Sequence, residues 1–176
     1  MNSLKKIAFL CMFIFSIFLL SCSEDNMKVN YKYLNEHNAC AVTVGKKYDL
    51  NKYLDHYYDY DEYVGQEYDY VCFGVNYEDR DNYTKEDLAT IAYFVKHYEK
   101  YAFVMFFGFE EYSLLEDAYS QNNIEHFENN PAQFRFLSYY NGKSIQSGSV
   151  SSNVTDFITE FICESTFRMQ LFNEKK

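Results

Sequence analysis

The chain has 176 residues, of which 16 are Lys or Arg and 26 are Asp or Glu, so its formal net charge is −10 at pH 7. This length fits one domain with a sizeable hydrophobic core. A surface this acidic repels phosphate backbones and anionic lipid headgroups, so we expect no nucleic-acid partner.

The beginning of the chain has the pattern of a secretory signal. Lys5 and Lys6 precede an apolar run over residues 7–20, which is too short for a comfortable membrane span. The run ends in Leu-Leu-Ser directly before Cys22, a sequence that resembles the lipobox of bacterial lipoproteins. The resemblance implies a signal peptide over 1–21, lipidation of Cys22 and a place in the bacterial cell envelope, at the outer membrane or the cell surface. Acyl chains on Cys22 would then hold the protein on the membrane.

The next segments are interpreted as a lipidated tether over 22–38 and a single α/β domain over 39–176. Ala39–Val44 is apolar and partly β-branched, which predicts a first strand. From Asp49 to Val64, leucine and tyrosine residues recur at helical spacing and predict a helix that ends at Gly65. The residues on that helical face are Leu50, Tyr53, Leu54 and Tyr57.

The central part of the chain predicts strand, helix and strand in turn. Tyr68–Val75 alternates in character and indicates a second strand. Thr84 with Asp87 three residues later is close to a capping box, so a helix is expected to start there. The short apolar run Ala102–Phe109 is typical of a central strand that is covered on both faces.

The last third predicts a short helix, a hairpin and a closing helix. Glu110–Gln121 is expected to form the short helix. Asn141-Gly142 separates two strand-like segments, Phe134–Tyr140 and Lys143–Val150, and this dipeptide favours a two-residue hairpin turn. The closing helix is predicted from one apolar face, made of Val154, Phe157, Ile158, Phe161 and Ile162.

The order of these elements indicates a mixed central sheet flanked by helices, with parallel pairing first and an antiparallel hairpin last. From Tyr68 onward, through Pro131 and the Asn-Gly hairpin to the final helix, the order resembles the thioredoxin fold. The resemblance implies a single thioredoxin-like domain. It departs where that family carries its redox dithiol, because this chain has Glu78-Asp79-Arg80-Asp81 in that neighbourhood.

The cysteines of the domain, Cys40, Cys72 and Cys163, all lie in apolar stretches. Buried free thiols are therefore expected, with one disulfide plus a free thiol as the alternative. No C-x-x-C, zinc, phosphate-loop or nucleophile-elbow pattern occurs, and His56, His97 and His126 lack metal spacing. We therefore predict no catalytic residue, no metal and no cofactor.

Two acidic groups are the candidate binding residues. The first acidic group, Asp59, Asp61 and Glu62, lies in the tyrosine-rich stretch 48–70, and the second acidic group is Glu78, Asp79 and Asp81. Carboxylates can bind a cation or a basic protein, although charged runs are often only a solvated face. Tyrosine is also enriched at protein interfaces.

These observations lead to an expected function. It is a membrane-anchored, non-catalytic envelope lipoprotein that binds a protein with a basic surface, for example in an immunity or inhibitor role. The alternative is a thioredoxin-like envelope thiol protein that uses its cysteines.

Overall fold

The computed structural model describes residues 24–65, 67–109, 113–124, 134–150 and 156–176. The predicted signal peptide, Cys22, His126, Pro131 and Val154 lie outside the described residues. In chain order the helices are α1 Glu24–Glu36, α2 Lys85–His97, α3 Ser113–Gln121 and α4 Phe157–Glu174. The strands are β1 Ala39–Val44, β2 Tyr57–Asp59, β3 Tyr70–Asn76, β4 Tyr101–Phe107, β5 Phe134–Tyr140 and β6 Lys143–Val150. Short 3-10 helices cover Tyr60–Glu62 and Tyr77–Asn82.

The six strands form one mixed sheet in the order β2-β1-β3-β4-β5-β6. The first four strands pair in parallel, whereas β5 pairs antiparallel with both β4 and β6. The predicted α/β class and the change from parallel to antiparallel pairing are therefore confirmed. The finer likeness to thioredoxin is not confirmed. The hairpin β5–β6 lies beside β4, the strand that follows α2, and not beside β3.

Each face of the sheet buries its own apolar core. On the α2–α3 face, α2 and α3 pack over alternate residues of β1, β3, β4 and β5, among them Val42, Phe73 and Val104. On the α1–α4 face, α1 and α4 pack over the intervening residues, among them Cys72, Phe103 and Phe136. Every residue of β4 is buried, which confirms the predicted central strand.

The sequence signals for the start of α2 and for the hairpin turn between β5 and β6 are confirmed. The Thr84 side chain accepts a hydrogen bond from the Asp87 amide, and the Asp87 carboxylate accepts one from the Thr84 amide, a reciprocal capping box. Asn141 and Gly142 have φ values of 48° and 74°, as the two-residue turn requires. The first strand, Ala39–Val44, has the predicted bounds.

The predicted helix from Asp49 to Val64 is wrong. One helical turn forms, in which the Leu54 amide donates to the Leu50 carbonyl at 3.0 Å, but it does not continue. Instead Tyr57–Asp59 pairs with the edge of β1 as β2. The Tyr57 hydroxyl lies 2.7 Å from the Thr43 hydroxyl and accepts a hydrogen bond from the Tyr48 amide at 2.7 Å. These contacts and the strand pairing stabilise the extended form over the helix.

The segment interpreted as a polar tether also differs from that expectation. Residues 24–36 form α1, which packs against α4 and β1 on the α1–α4 face. Leu34 is 2% exposed, and the Asn30 amide group donates to the Cys163 sulfur at 3.3 Å. Met27, Tyr31 and Tyr33 also pack against this core, so α1 is fixed on the domain by one apolar side and a few polar contacts.

Candidate functional site

The first acidic group lies at the carboxyl end of β2 and in the 3-10 helix that follows. Asp59 ends β2 and is half-buried, whereas Asp61 and Glu62 are exposed. The Lys47 ammonium donates to both oxygens of Glu62 at 2.6 and 2.7 Å, and this contact raises the pKa of Lys47. Both partners are about half exposed, so the ion pair adds little stability.

The second acidic group lies in the 3-10 helix after β3. Glu78 and Asp81 are exposed, but Asp79 is only 9% exposed and accepts a hydrogen bond from the Tyr48 hydroxyl at 2.7 Å. Burial, together with this bond to Asp79, holds the pKa of Tyr48 above its usual range. Asp79 therefore serves the fold, and Glu78 and Asp81 are the members that face solvent.

Both acidic groups lie at the edge of the sheet where the parallel strands β1, β2 and β3 end. One loop, directly after β1, contacts both of them: Lys47 binds Glu62 and the next residue, Tyr48, binds Asp79. Gly45 at the start of this loop has a φ of 91°, and a Cβ there would lie 3.0 Å from the Asp79 carbonyl oxygen. The close approach and the positive φ together explain the glycine.

The described residues contain no cluster of three or more His, Cys, Asp or Glu side chains that could hold a metal ion. His97 stacks on Tyr93 with ring centroids 4.1 Å apart, and His56 lies 4.9 Å from the Tyr68 ring. These histidines therefore take part in aromatic packing, His97 within α2 and His56 with a residue that precedes β3.

The three domain cysteines are free thiols. Cys40 packs in the core of the α2–α3 face and Cys72 in the core of the α1–α4 face, so the sheet itself separates them. Burial raises the pKa of Cys72 to about 12 and also raises that of Cys40. Since the thiolate is the reactive form, both thiols are poor nucleophiles. The prediction of free thiols is confirmed, and Cys163, which is half-buried, lies beside Met27 at 3.8 Å.

An aromatic cleft of about 300 Å³ lies on the α2–α3 face. It is lined by Tyr60, Tyr63, Gly65, Phe73, Thr90, Ile91 and Phe94. Three of its rings meet nearly edge to face: Tyr63 lies 5.8 Å from Phe73 and 5.9 Å from Phe94, and Phe73 lies 5.4 Å from Phe94. Sequence reasoning missed this cleft, because its lining residues look like ordinary core positions of separate elements.

A second depression of about 530 Å³ lies at the opposite edge, where the parallel strands begin. Lys100 pairs with Asp69 there at 3.1 Å, and Lys176 lies over the Tyr140 and Phe172 rings at 5.4 and 5.2 Å. The Asn38 and Lys100 contacts lower the pKa of Asp69. The charged side chains that line this depression are thus largely paired with neighbouring groups.

No helix among the described residues is long and apolar enough to cross a membrane. Comparison with known proteins gave no family model that matches the chain, no matching curated protein and no matching solved structure.

Proposed function

We propose that this protein is a bacterial envelope lipoprotein, anchored by acyl chains on Cys22, whose α/β domain binds a basic protein without catalysing a reaction. The observation that carries the binding half is the position of the first acidic group directly beside the aromatic cleft. Tyr60 and Tyr63 line the cleft, and Asp61 and Glu62 stand between them in the chain. Aromatic surface with a charged rim is the usual composition of a protein interface.

The anchoring half is supported by the lipobox-like residues before Cys22 and by the place where α1 begins. Only Ser23 separates Cys22 from Glu24, the first residue of α1. Two residues of chain span at most about 7 Å, so a lipidated Cys22 would hold the domain close to the bilayer. The α2–α3 face, with the cleft, lies on the side of the sheet opposite to α1, where a partner could approach it.

The thiol alternative has less support. Cys40 and Cys72 are 0% and 1% exposed and lie on opposite faces of the sheet, so they are poorly placed for exchange with a partner. The thioredoxin likeness stays a proposal about the order of elements from β3 to α4. An immunity or inhibitor role, in which an acidic domain blocks a basic protein, is the concrete form of the binding proposal.

The anchor is tested by membrane fractionation of cells that carry the full chain or its Cys22→Ala variant. We expect the unchanged chain in the membrane fraction and the variant outside it, because the acyl chains supply the membrane affinity. Retention of the variant in the membrane fraction would contradict the lipoprotein assignment.

The binding face is tested by crosslinking and capture of partners from membranes. The test variant replaces Asp59, Asp61 and Glu62 with alanine, and the matched control replaces Glu36, Asp49 and Asp55, which lie on the side of α1. Both variants remove three negative charges, and Glu62 in one and Glu36 and Asp49 in the other form exposed ion pairs with lysine. We expect a basic protein to be lost from the first variant and kept by the second. Equal capture by both variants would remove the first acidic group from the binding face.

A further inference from the structure

The aromatic cleft has the chemistry of a site for a cation. Four aromatic side chains line it, Tyr60, Tyr63, Phe73 and Phe94, with Ile91 among them. Aromatic π faces carry a negative quadrupole that attracts a cation. Ile91 is only 1% exposed and forms the floor of the cleft, so the accessible walls are mainly aromatic.

Two carboxylates, those of Asp61 and Asp87, lie near the cleft. The pKa of the half-buried Tyr60 is raised by burial and then by the nearby carboxylates of Asp87 and Asp61. Asp87 lies one helical turn before Thr90 and Ile91 on α2, so it is on the cleft side of that helix. Among the residues that the structure describes, none forms an ion pair with Asp61 or Asp87.

The size and openness of the cleft point to a side chain as its occupant. A volume of about 300 Å³ is at the lower limit of pockets that enclose small molecules, and this cleft is open to solvent. At its lip Val64 is 78% exposed, and a Cβ on Gly65 would meet no heavy atom of the described residues within 4 Å. An apolar lip of this kind can contact a partner's surface while one long side chain enters the cleft.

We propose that the aromatic cleft receives an arginine or lysine side chain of the partner protein, with its aliphatic stem against Tyr63 and Phe94 and its charge facing Asp61 and Asp87. Long basic side chains bury their methylene stems on apolar surface and keep the charge at a polar rim, which matches this arrangement. Arginine fits best, because its planar guanidinium also stacks on aromatic rings. This inference rests on the proposed protein-binding function and names the chemical group that the partner supplies.

The test is a methyl NMR titration of the full chain, purified from membranes in detergent and labelled at isoleucine methyl groups. The probes are the peptides tri-arginine amide and tri-citrulline amide, which have the same shape but differ in charge. We expect tri-arginine to shift the Ile91 methyl signal in a saturable way, and tri-citrulline to need at least about tenfold higher concentration. No shift at Ile91, or equal shifts with both peptides, would overturn the proposal.

Variants test separately the acidic part of the site, Asp61, and its aromatic part, Tyr63. Asp61→Asn should weaken tri-arginine binding, whereas Asp55→Asn, the same change at an exposed position before β2, should leave it unchanged. Tyr63→Leu should weaken tri-arginine binding by between about twofold and thirtyfold, the range of a cation–π contact. Tyr63→Phe keeps an aromatic ring, so it should bind tri-arginine as the unchanged chain does. Equal effects of Asp61→Asn and Asp55→Asn would show attraction to net charge alone and would overturn the site.

The outcome is distinguishable from failure of the proposed function. One outcome is that capture of a basic protein from membranes depends on the first acidic group while tri-arginine leaves the Ile91 signal unshifted. In that case the proposed binding face is supported, but the cleft does not receive the partner's side chain. If capture fails and Ile91 still responds to tri-arginine but not to tri-citrulline, the cleft binds a cationic side chain and the proposed partner is wrong.

Discussion

The two faces of the sheet are covered in different ways. Two helices pack over the strands on each face, and on the α1–α4 face Phe161 and Ile162 of α4 are 0% exposed. On the α2–α3 face, no α-helix of the described residues connects β1 to β3, although parallel strands are usually joined by one. The half-buried tyrosines Tyr58, Tyr60 and Tyr63 pack there instead.

This difference explains why the aromatic cleft exists. A helix above β1 and β3 would present a continuous apolar stripe, whereas tyrosine rings from an irregular segment cover the strands unevenly. Hydroxyl contacts fix the segment: the Tyr58 and Tyr68 hydroxyls lie 2.8 Å apart, and the Tyr98 hydroxyl donates to the Tyr68 carbonyl at 2.8 Å. The cleft is thus the surface that remains where a crossover helix is replaced by tyrosines.

The largest expected effect compares one ring from each face. Phe161→Ala on the α1–α4 face should lower the free energy of unfolding by about 3–5 kcal/mol, since it removes a fully buried ring. Tyr63→Ala on the α2–α3 face should cost about 1–2 kcal/mol, because Tyr63 is half-buried and less apolar area is exposed. Urea denaturation of both variants measures the difference. A cost for Tyr63→Ala equal to that of Phe161→Ala would mean that the tyrosines pack as firmly as a helix.

A second prediction concerns a carboxyl group that is buried on the α1–α4 face. On the α1–α4 face, burial and then the neighbouring Glu164 raise the pKa of the Glu160 carboxyl from its ordinary 4.5 to about 7. Between these two values the folded state keeps a proton that the unfolded state loses. Stability therefore falls as the pH rises from about 4.5 to 7 and stays low above 7.

Glu160→Gln should remove this loss, raising the free energy of unfolding at pH 8 by on the order of 3 kcal/mol and flattening its pH dependence. Glu164, whose pKa is also raised by burial, keeps its partner Arg168 at 2.8 Å and serves as the control. Glu164→Gln loses that charge-assisted bond, so its gain should be smaller. Urea denaturation from pH 4 to 8 measures both variants, and an unchanged pH profile in Glu160→Gln would contradict the assignment.

The smallest effect concerns the tyrosine hydroxyls of the α2–α3 face. Tyr58→Phe removes the hydroxyl contact with Tyr68 and should cost about 0.5–1.5 kcal/mol. Tyr93→Phe, at a position 57% exposed on α2, is the matched control and should change stability by less. Thermal unfolding of both variants measures the costs. A Tyr58→Phe variant as stable as the control would mean that ring packing alone holds the segment.

The sequence predicted the elements whose signals are local. The capping residues Thr84 and Asp87, the Asn141-Gly142 turn and the wholly apolar β4 each specify their structure within a few residues. The helix predicted from Asp49 to Val64 is wrong. The leucine and tyrosine spacing fits a helix, but the deciding contact, Tyr57 with Thr43, joins residues that are 14 apart in the chain.

The candidate site was predictable only in part, for the same reason. The acidic residues could be named from composition, but the burial of Asp79 depends on Tyr48, which is 31 residues away in the chain. The aromatic cleft needs Tyr63, Phe73 and Phe94 together, and each of them alone is an ordinary apolar position.

The most direct test of the account is site-specific photocrosslinking in cells that carry the full chain. A photoreactive phenylalanine analogue replaces either Thr90, at the edge of the aromatic cleft, or Asp55, before β2. We predict an adduct of one basic protein from position 90, mapped beside an arginine or lysine of that protein and lost when Asp61→Asn is added. Equal adducts from positions 90 and 55, or an adduct at 90 that survives Asp61→Asn, would contradict the central claim.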